Sequence, residues 1–153
     1  MPGAIVEAVN CFNSGFLCSQ AILCTHCQDC GLDRPTALRL AAGFGGGMGR
    51  MGNVCGCVTG AIMVLGLRHG ATVLDQDAKQ RTYASVQEFT RRFESRHGSI
   101  VCRNLLGCDI ATAEGYQRAQ DQKLFSIICP KLVESAATIL EELANSQPLA
   151  RGT

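Results

Sequence analysis

The chain has no tryptophan, and aromatic residues fill only 5% of its 153 positions. That leaves no platform on which successive bases could stack, the usual requirement of single-strand nucleic-acid binding. An excess of one charge is also missing: 14 Lys and Arg face 13 Asp and Glu, for a formal net charge of +1. Neither nucleic acid nor an anionic membrane surface is therefore an expected partner. Long apolar runs are absent. Ala61–Leu67 falls far short of the ~18 residues that would cross a bilayer. The opening MPGAIVEAVNCFNSG has no basic start followed by an apolar stretch, so a secretory signal is not expected and a cytoplasmic location is. No segment alternates at period two, which argues against strands.

What remains is a globular composition, 46% hydrophobic and 18% charged, in a chain long enough for one domain to bury roughly 70% of its unfolded surface. Glycine (17) and cysteine (10) stand out. A domain of this size builds its own core without staples, and the cysteine content lies below the ~8–10% of a disulfide scaffold. In a reducing compartment, such thiols point to metal binding or thiol redox chemistry.

The stretch Gly43–Arg68, GFGGGMGRMGNVCGCVTGAIMVLGLR, organises the rest. Seven of its first fourteen residues are glycine, a density that marks backbone turning sharply or lying against something bulky. Cys55 then opens a helix with Val58, Ile62 and Leu65 on one side. A thiolate at a helix N-terminus is stabilised by the free N–H groups and the dipole, which lowers its pKa.

Around it the pattern predicts helices at Ala4–Phe12, Cys18–Cys30 (stopped by Gly31), Thr36–Ala42 behind Pro35, Asp75–His97, a short one from Cys102 to Leu106, and Pro130–Ala144. In Asp75–His97 the residues Tyr83, Val86, Phe89 and Phe93 form the expected apolar stripe, with Arg91, Arg92 and Arg96 complementing the C-terminal dipole. Asp109–Lys123 reads as looser chain. The fold class is all-α: a single compact bundle of six to seven helices with a glycine-rich loop. Residues 1–145 form the domain, and a tail from Ser146 should fray.

Four cysteines share one local setting. Cys18 and Cys55 follow turns and open helices, Cys102 follows Gly98-Ser99, and Cys129 precedes Pro130, a residue favoured in a first helical turn. Four helix starts converging on one anion would offer it N–H donors, and a four-thiolate iron–sulfur cluster is such an anion. Gly45, Gly46 and Gly47 would permit close backbone approach to its sulfides. Arg50 is open to several roles: balancing cluster charge, contacting a partner, or serving as a solvated or capping arginine. Buried thiol packing is the competing account of each cysteine taken singly.

The run Cys24-Thr-His-Cys27-Gln-Asp-Cys30 has ferredoxin-type spacing, but on a straight helix its thiols fan over ~120°. A second metal site there would need the segment unwound, with Cys11 or His26 completing it. Gly47–Gly52 matches G-x-G-x-x-G, yet no strand precedes it, so dinucleotide binding is not expected. His69 and His97 precede glycines at predicted helix ends, where the dipole accounts for them. Asp75, Asp77, Glu141 and Glu142 read as exposed-face charges.

Four separated blocks, Cys18-Ser-Gln-Ala, GFGGGMGRMGNVCGCVTGAIMVLG, RRFESRHGSIVCRNLLG and Cys129-Pro-Lys-Leu-Val, resemble the C_GCAxxG_C_C proteins, a family described as redox-active. The resemblance runs from about Gly15 to Leu143. It implies an all-helical fold, and the family's four shared cysteines fall on Cys18, Cys55, Cys102 and Cys129. A related domain in split-Soret cytochromes associates these cysteines with an iron–sulfur cluster. The chain departs from the pattern in lacking C-x-x-C-H, so c-type haem is not expected. It also carries six further cysteines: Cys11, Cys24, Cys27, Cys30, Cys57 and Cys108. Cys57, close to Cys55, is a candidate fifth ligand or resolving thiol.

The expected function is thus electron transfer or redox sensing through an iron–sulfur cluster of undetermined type, with an unidentified redox partner protein. Pairing into a homodimer would be one way to cover the cluster. A metal-free thiol–disulfide protein and a soft-metal module for Zn or Cu(I) are the alternatives. Whether the chain is an oxidoreductase in its own right is left open by its residues.

Overall fold

A computed structural model describes residues 2–146. Its helices are α1 (Pro2–Asn13), α2 (Cys18–Cys27), α3 (Arg34–Ala41), α4 (Gly56–His69), α5 (Gln76–His97), α6 (Cys102–Leu106), α7 (Ala113–Asp121), α8 (Leu124–Ile127) and α9 (Cys129–Ser146). Among the described residues there is no strand, only an isolated antiparallel bridge between Val54 and Val101. The fold is all-α.

Local chemistry sets the helix boundaries. Asp33 caps α3 by accepting from the Thr36 N–H (3.0 Å), with Pro35 just inside. Asp75 caps α5 through the Ala78 N–H (3.0 Å), so it is more than an exposed-face charge. Left-handed glycines end α5 at Gly98 (φ 84°) and α6 at Gly107 (φ 74°). Helix α2 stops at Cys27 and tightens into a 3-10 turn, Gln28–Cys30, before Gly31 turns the chain.

The core lies where α4 meets α2, α5 and α9. Ile22, Leu23, Val58, Leu65, Phe89 and Phe93 are fully enclosed there, joined by Val133, Ile139 and Leu140 of α9. Helix α2 is buried on most of its circumference by Ser19, Ala21, Ile22, Leu23, Cys24, His26 and Cys27. It comes close to α4 because Gly60 has no side chain: a Cβ there would meet the Ser19 carbonyl oxygen at 2.9 Å and Ile22 Cβ at 3.1 Å. A smaller cluster of Cys102, Leu106, Cys108, Ile110 and Ala119 joins α6 to α7 and α8.

Two expectations need correcting. Tyr83 is 54% exposed, and the buried face of α5 is instead Ala78, Ser85, Phe89 and Phe93. Each step of three residues falls back about 60°, so Tyr83 lies about 120° from Phe89. The segment expected to be loose forms α7 and α8. Thr112 caps α7 by accepting from the Gly115 N–H (2.9 Å), and a Cβ on Gly115 would run into the Asp109 carbonyl. Helix α7 is mostly polar, which hides it from a search for apolar periodicity. Of the tail, Ser146 closes α9 and residues 147–153 lie outside those described.

Candidate metal and thiol centre

The glycine-dense segment after α3 coils back on itself. Gly49 N–H donates to Gly43 O (2.8 Å), Gly52 N–H to Gly46 O (3.1 Å) and Asn53 N–H to Gly47 O (2.9 Å). The coil needs positive φ at four glycines and also at Met48 (66°) and Arg50 (63°). Gly47 is held most tightly: a Cβ there would lie 2.6 Å from Asn53 N and 2.7 Å from Cys102 Cβ. The loop leads into the Val54–Val101 bridge, where Cys55 N–H donates to Ile100 O (2.7 Å) and Cys102 N–H to Asn53 O (2.6 Å). The entries to α4 and α6 are thereby fixed side by side.

Helix α2 supplies the third approach. Its first residue, Cys18, rests on the start of α4 so closely that a Cβ on Gly56 would lie 2.5 Å from its Sγ. As a result, the sulfurs of Cys18, Cys55 and Cys57 all fall within 4.8 Å of one another. Cys102 and Cys129 lie outside that trio but line the same cavity of about 790 Å³. Gly45, Gly46 and Arg50 are on its wall as well. The tight contacts of these glycines are with the protein itself: a Cβ on Gly45 would strike the Leu17 side chain (2.7 Å), and one on Gly46 the Arg50 Cα (2.9 Å).

The electrostatics of the trio are shared unequally. The thiols of Cys55 and Cys57 hydrogen-bond to the Cys18 sulfur, and this outweighs burial and holds Cys18 well below the ordinary thiol pKa. The same contact with Cys18 pushes Cys55 well up. Cys57 is pushed up chiefly by its complete burial. Burial, with the Cys18 charge adding to it, raises both Cys102 and Cys129 to about 12. The lowered pKa expected at Cys55 thus appears at Cys18, because one sulfur in a close trio carries the charge and its neighbours become donors to it.

All four cysteines expected at helix starts stand at them. Cys18 and Cys102 are first residues of helices, and Cys55 is the residue before α4. Cys129 opens α9, but α8 abuts it, and Ile128 O already accepts from the N–H groups of Lys131 (3.1 Å) and Leu132 (3.3 Å). The starts of α4 and α6 are closed by the same pair of bonds, from Val58 and Thr59 to Cys55 O and from Asn104 and Leu105 to Val101 O.

The remaining cysteines lie elsewhere. Cys24 and Cys27 are buried on α2, where the Cys27 thiol donates to Cys24 O (3.3 Å), and Cys30 ends the 3-10 turn. The segment stays helical. Among the described residues the trio is the single close grouping of three ligating side chains, so Cys24, Cys27 and Cys30 are not brought together as a second set of ligands. Cys108 donates to Gly115 O at 3.5 Å, and Cys11 accepts from Arg34 Nη2 at 3.9 Å. His26 is buried, with Nδ1 2.9 Å from Ile22 O and Nε2 3.5 Å from Glu141 Oε1, so Glu141 is no ordinary surface charge. Glu142 likewise pairs with Arg96, at 2.7 Å from Nη2 to Oε2. His69 and His97 do end α4 and α5, and burial lowers both pKa values. His97 packs on the Phe93 ring, 4.6 Å between centroids.

Sequence reasoning missed the apolar walls of the cavity: Phe12, Phe16, Leu105, Ile110, Phe125 and Leu132. It also missed the Tyr116 ring, over which the Arg50 guanidinium sits 3.9 Å from the centroid. These residues come from distant segments and carry no spacing signal.

The fold and site together define an all-helical protein with a cysteine-lined pocket whose sulfurs are compatible with a metal. Residues 16–143 match the family described as "Putative redox-active protein (C_GCAxxG_C_C)", and the chain belongs to that family. No curated protein and no solved structure matches it. Among the described residues no helix is long and apolar enough to cross a membrane.

Proposed function

We propose that this protein transfers electrons or senses redox state through an iron–sulfur cluster held by Cys18, Cys55, Cys102 and Cys129, with Cys57 as a fifth sulfur beside it. The donor set fits: five thiols, and no carboxylate or imidazole, line the cavity, and soft sulfur ligands favour iron–sulfur clusters, zinc or Cu(I). The observation that carries the choice of a cluster is the distribution of the sulfurs. A single tetrahedral ion with metal–sulfur bonds of about 2.3 Å wants four sulfurs about 3.8 Å apart. Here three lie within 4.8 Å and two more stand on the same cavity beyond them. A centre of several metal atoms has room for more sulfurs than the four that one tetrahedral ion takes. The cluster would supply one-electron chemistry, and its potential would respond to N–H···S bonds and to solvent exposure. The chain's own part is to hold the sulfurs on a rigid frame and to keep water away with apolar walls. Ten free thiols suit a reducing compartment such as the cytoplasm, where the electron donor and acceptor would be other proteins.

A metal-free reading is favoured by a different observation. Cys18 is a lowered-pKa thiol with two protonated thiols donating to it, the arrangement in which a thiolate attacks and a neighbour resolves the disulfide. Iron, sulfide and zinc analysis of anaerobically purified protein separates the readings. Iron and sulfide in comparable amounts, with visible absorbance bleached by dithionite and lost in Cys55→Ser and Cys129→Ser, is the expected result. A colourless, iron-free protein after reconstitution with ferrous iron and sulfide would overturn the cluster, and zinc alone would favour a soft-metal module.

A further inference from the structure

The cavity is far larger than a cluster requires. A centre built from metal–sulfur bonds of about 2.3 Å takes on the order of 100 Å³, whereas the cavity holds about 790 Å³, within the range of small-molecule sites. Its sulfurs come from the starts of α2, α4, α6 and α9. The rest is walled by aromatic and aliphatic side chains, among them Phe16, Leu17 and Met51, which are 36%, 38% and 54% exposed.

One charged side chain stands on this wall, Arg50. Among the described residues no ion pair involves it. Its guanidinium is stacked 3.9 Å over Tyr116, another wall residue, which fixes its plane and leaves its edge N–H groups for a ligand. Its backbone is held in the left-handed region, φ 63°, by the N–H bond to Gly45 O (3.2 Å) and by Gly46, which packs against its Cα. A non-glycine residue in that conformation costs about 1 kcal/mol or more, and such strain collects at ligand clamps. The loop thus places one cation in a fixed pose over an otherwise apolar cavity that ends at reactive sulfur.

We infer that this cavity binds a small organic anion, a flat apolar body bearing one carboxylate, with the acid group on Arg50 and the body between the aromatic walls and the cysteines. An apolar wall with few placed polar groups selects body and head separately, and a guanidinium matches a carboxylate in two-point fashion. The inference uses the same cavity as the redox reading but does not require the metal.

The test is isothermal titration of the anaerobic, reduced protein with 2-naphthoate and with uncharged 2-naphthamide, which share one body. Iron is measured on the same sample. The wild type is expected to bind naphthoate at one site at least tenfold more tightly than the amide. Arg50→Gln should bring naphthoate down to the amide's affinity while leaving the amide unchanged. Arg50→Lys should retain part of the preference. Ala111→Trp, an exposed wall position, should remove binding of both compounds, with unaltered circular dichroism serving as the folding control. Equal affinity for the two compounds, no saturable naphthoate binding, or an undiminished preference in Arg50→Gln would overturn the inference. Selectivity in a protein that stays iron-free after reconstitution would sink the cluster and leave the anion site standing. Iron without selectivity would do the reverse.

Discussion

Helix α4 carries two glycines whose replacement by alanine should act in opposite directions. At Gly60 a Cβ would lie 2.9 Å from the Ser19 carbonyl oxygen, 3.1 Å from Ile22 Cβ and 3.3 Å from Ser19 Cα. Two of these three atoms are backbone, and α2 is enclosed on most of its surface, so the neighbour cannot swing aside. Overpacking of this kind costs about 1–3 kcal/mol, and alanine returns about 1 kcal/mol through helix propensity. The net expectation for Gly60→Ala is a loss of up to about 2 kcal/mol, the overpacking cost less the helix-propensity gain. At Gly66, in the same helix, nothing lies within 4 Å of the added carbon, and Gly66→Ala should gain about 0.5–1 kcal/mol. For a chain of this size each kcal/mol moves the melting temperature by roughly 2–4 °C. Thermal and urea unfolding followed by circular dichroism under reducing conditions would therefore show Gly66→Ala above the wild type and Gly60→Ala below it. Because Gly60 sets how near Cys18 comes to Cys55 and Cys57, its alanine variant should also bind less metal. A Gly60→Ala protein as stable as Gly66→Ala would refute the claim that the α2–α4 approach is limited by backbone contact.

The cysteines should divide by location. Cys102→Ala is expected to lower iron content, whereas Cys108→Ala, which loses only a buried thiol donating to Gly115 O at 3.5 Å, should keep it; equal iron loss in both would contradict the assignment. Glu88 is held down at about 2 by hydrogen bonds from Arg91 and Arg92, against an ordinary value of 4.5. A depressed folded-state pKa gives stability that is fully present above the unfolded value and disappears as pH falls through the folded one. The melting-temperature gap between wild type and Glu88→Gln should accordingly hold steady above pH 4.5 and close as pH falls toward 2. A gap that stays constant down to that pH would show the pairing makes no pH-dependent contribution.

The fold class was legible because the helix-forming signals are local. The pattern Cys55, Val58, Ile62, Leu65, Pro35 at the start of α3 and the glycine after α5 are each readable within a few residues. Where the local signal was wrong, a tertiary contact explains it. Tyr83 looked like core by spacing, but its angle around α5 takes it to solvent. Helix α7 has little apolar periodicity and owes its start to the Thr112 cap and to Gly115 lying against Asp109. Cys24, Cys27 and Cys30 had a ligand-like spacing, but the helix through Cys27 and the tight turn after it keep them from converging.

The sequence by itself determined that this is a helical, cysteine-rich chain of a redox-active family, since residue types, spacings and the four separated blocks are one-dimensional facts. It also singled out the glycine loop, because only backbone in unusual conformations needs that density. Which sulfurs meet was decided in three dimensions. Gly56 and Gly60 draw α2 onto α4, and the Val54–Val101 bridge ties the start of α4 to the start of α6. The lowered pKa fell on Cys18 rather than Cys55 for the same reason: sharing charge among thiols depends on distances across helices, and no spacing along the chain encodes them.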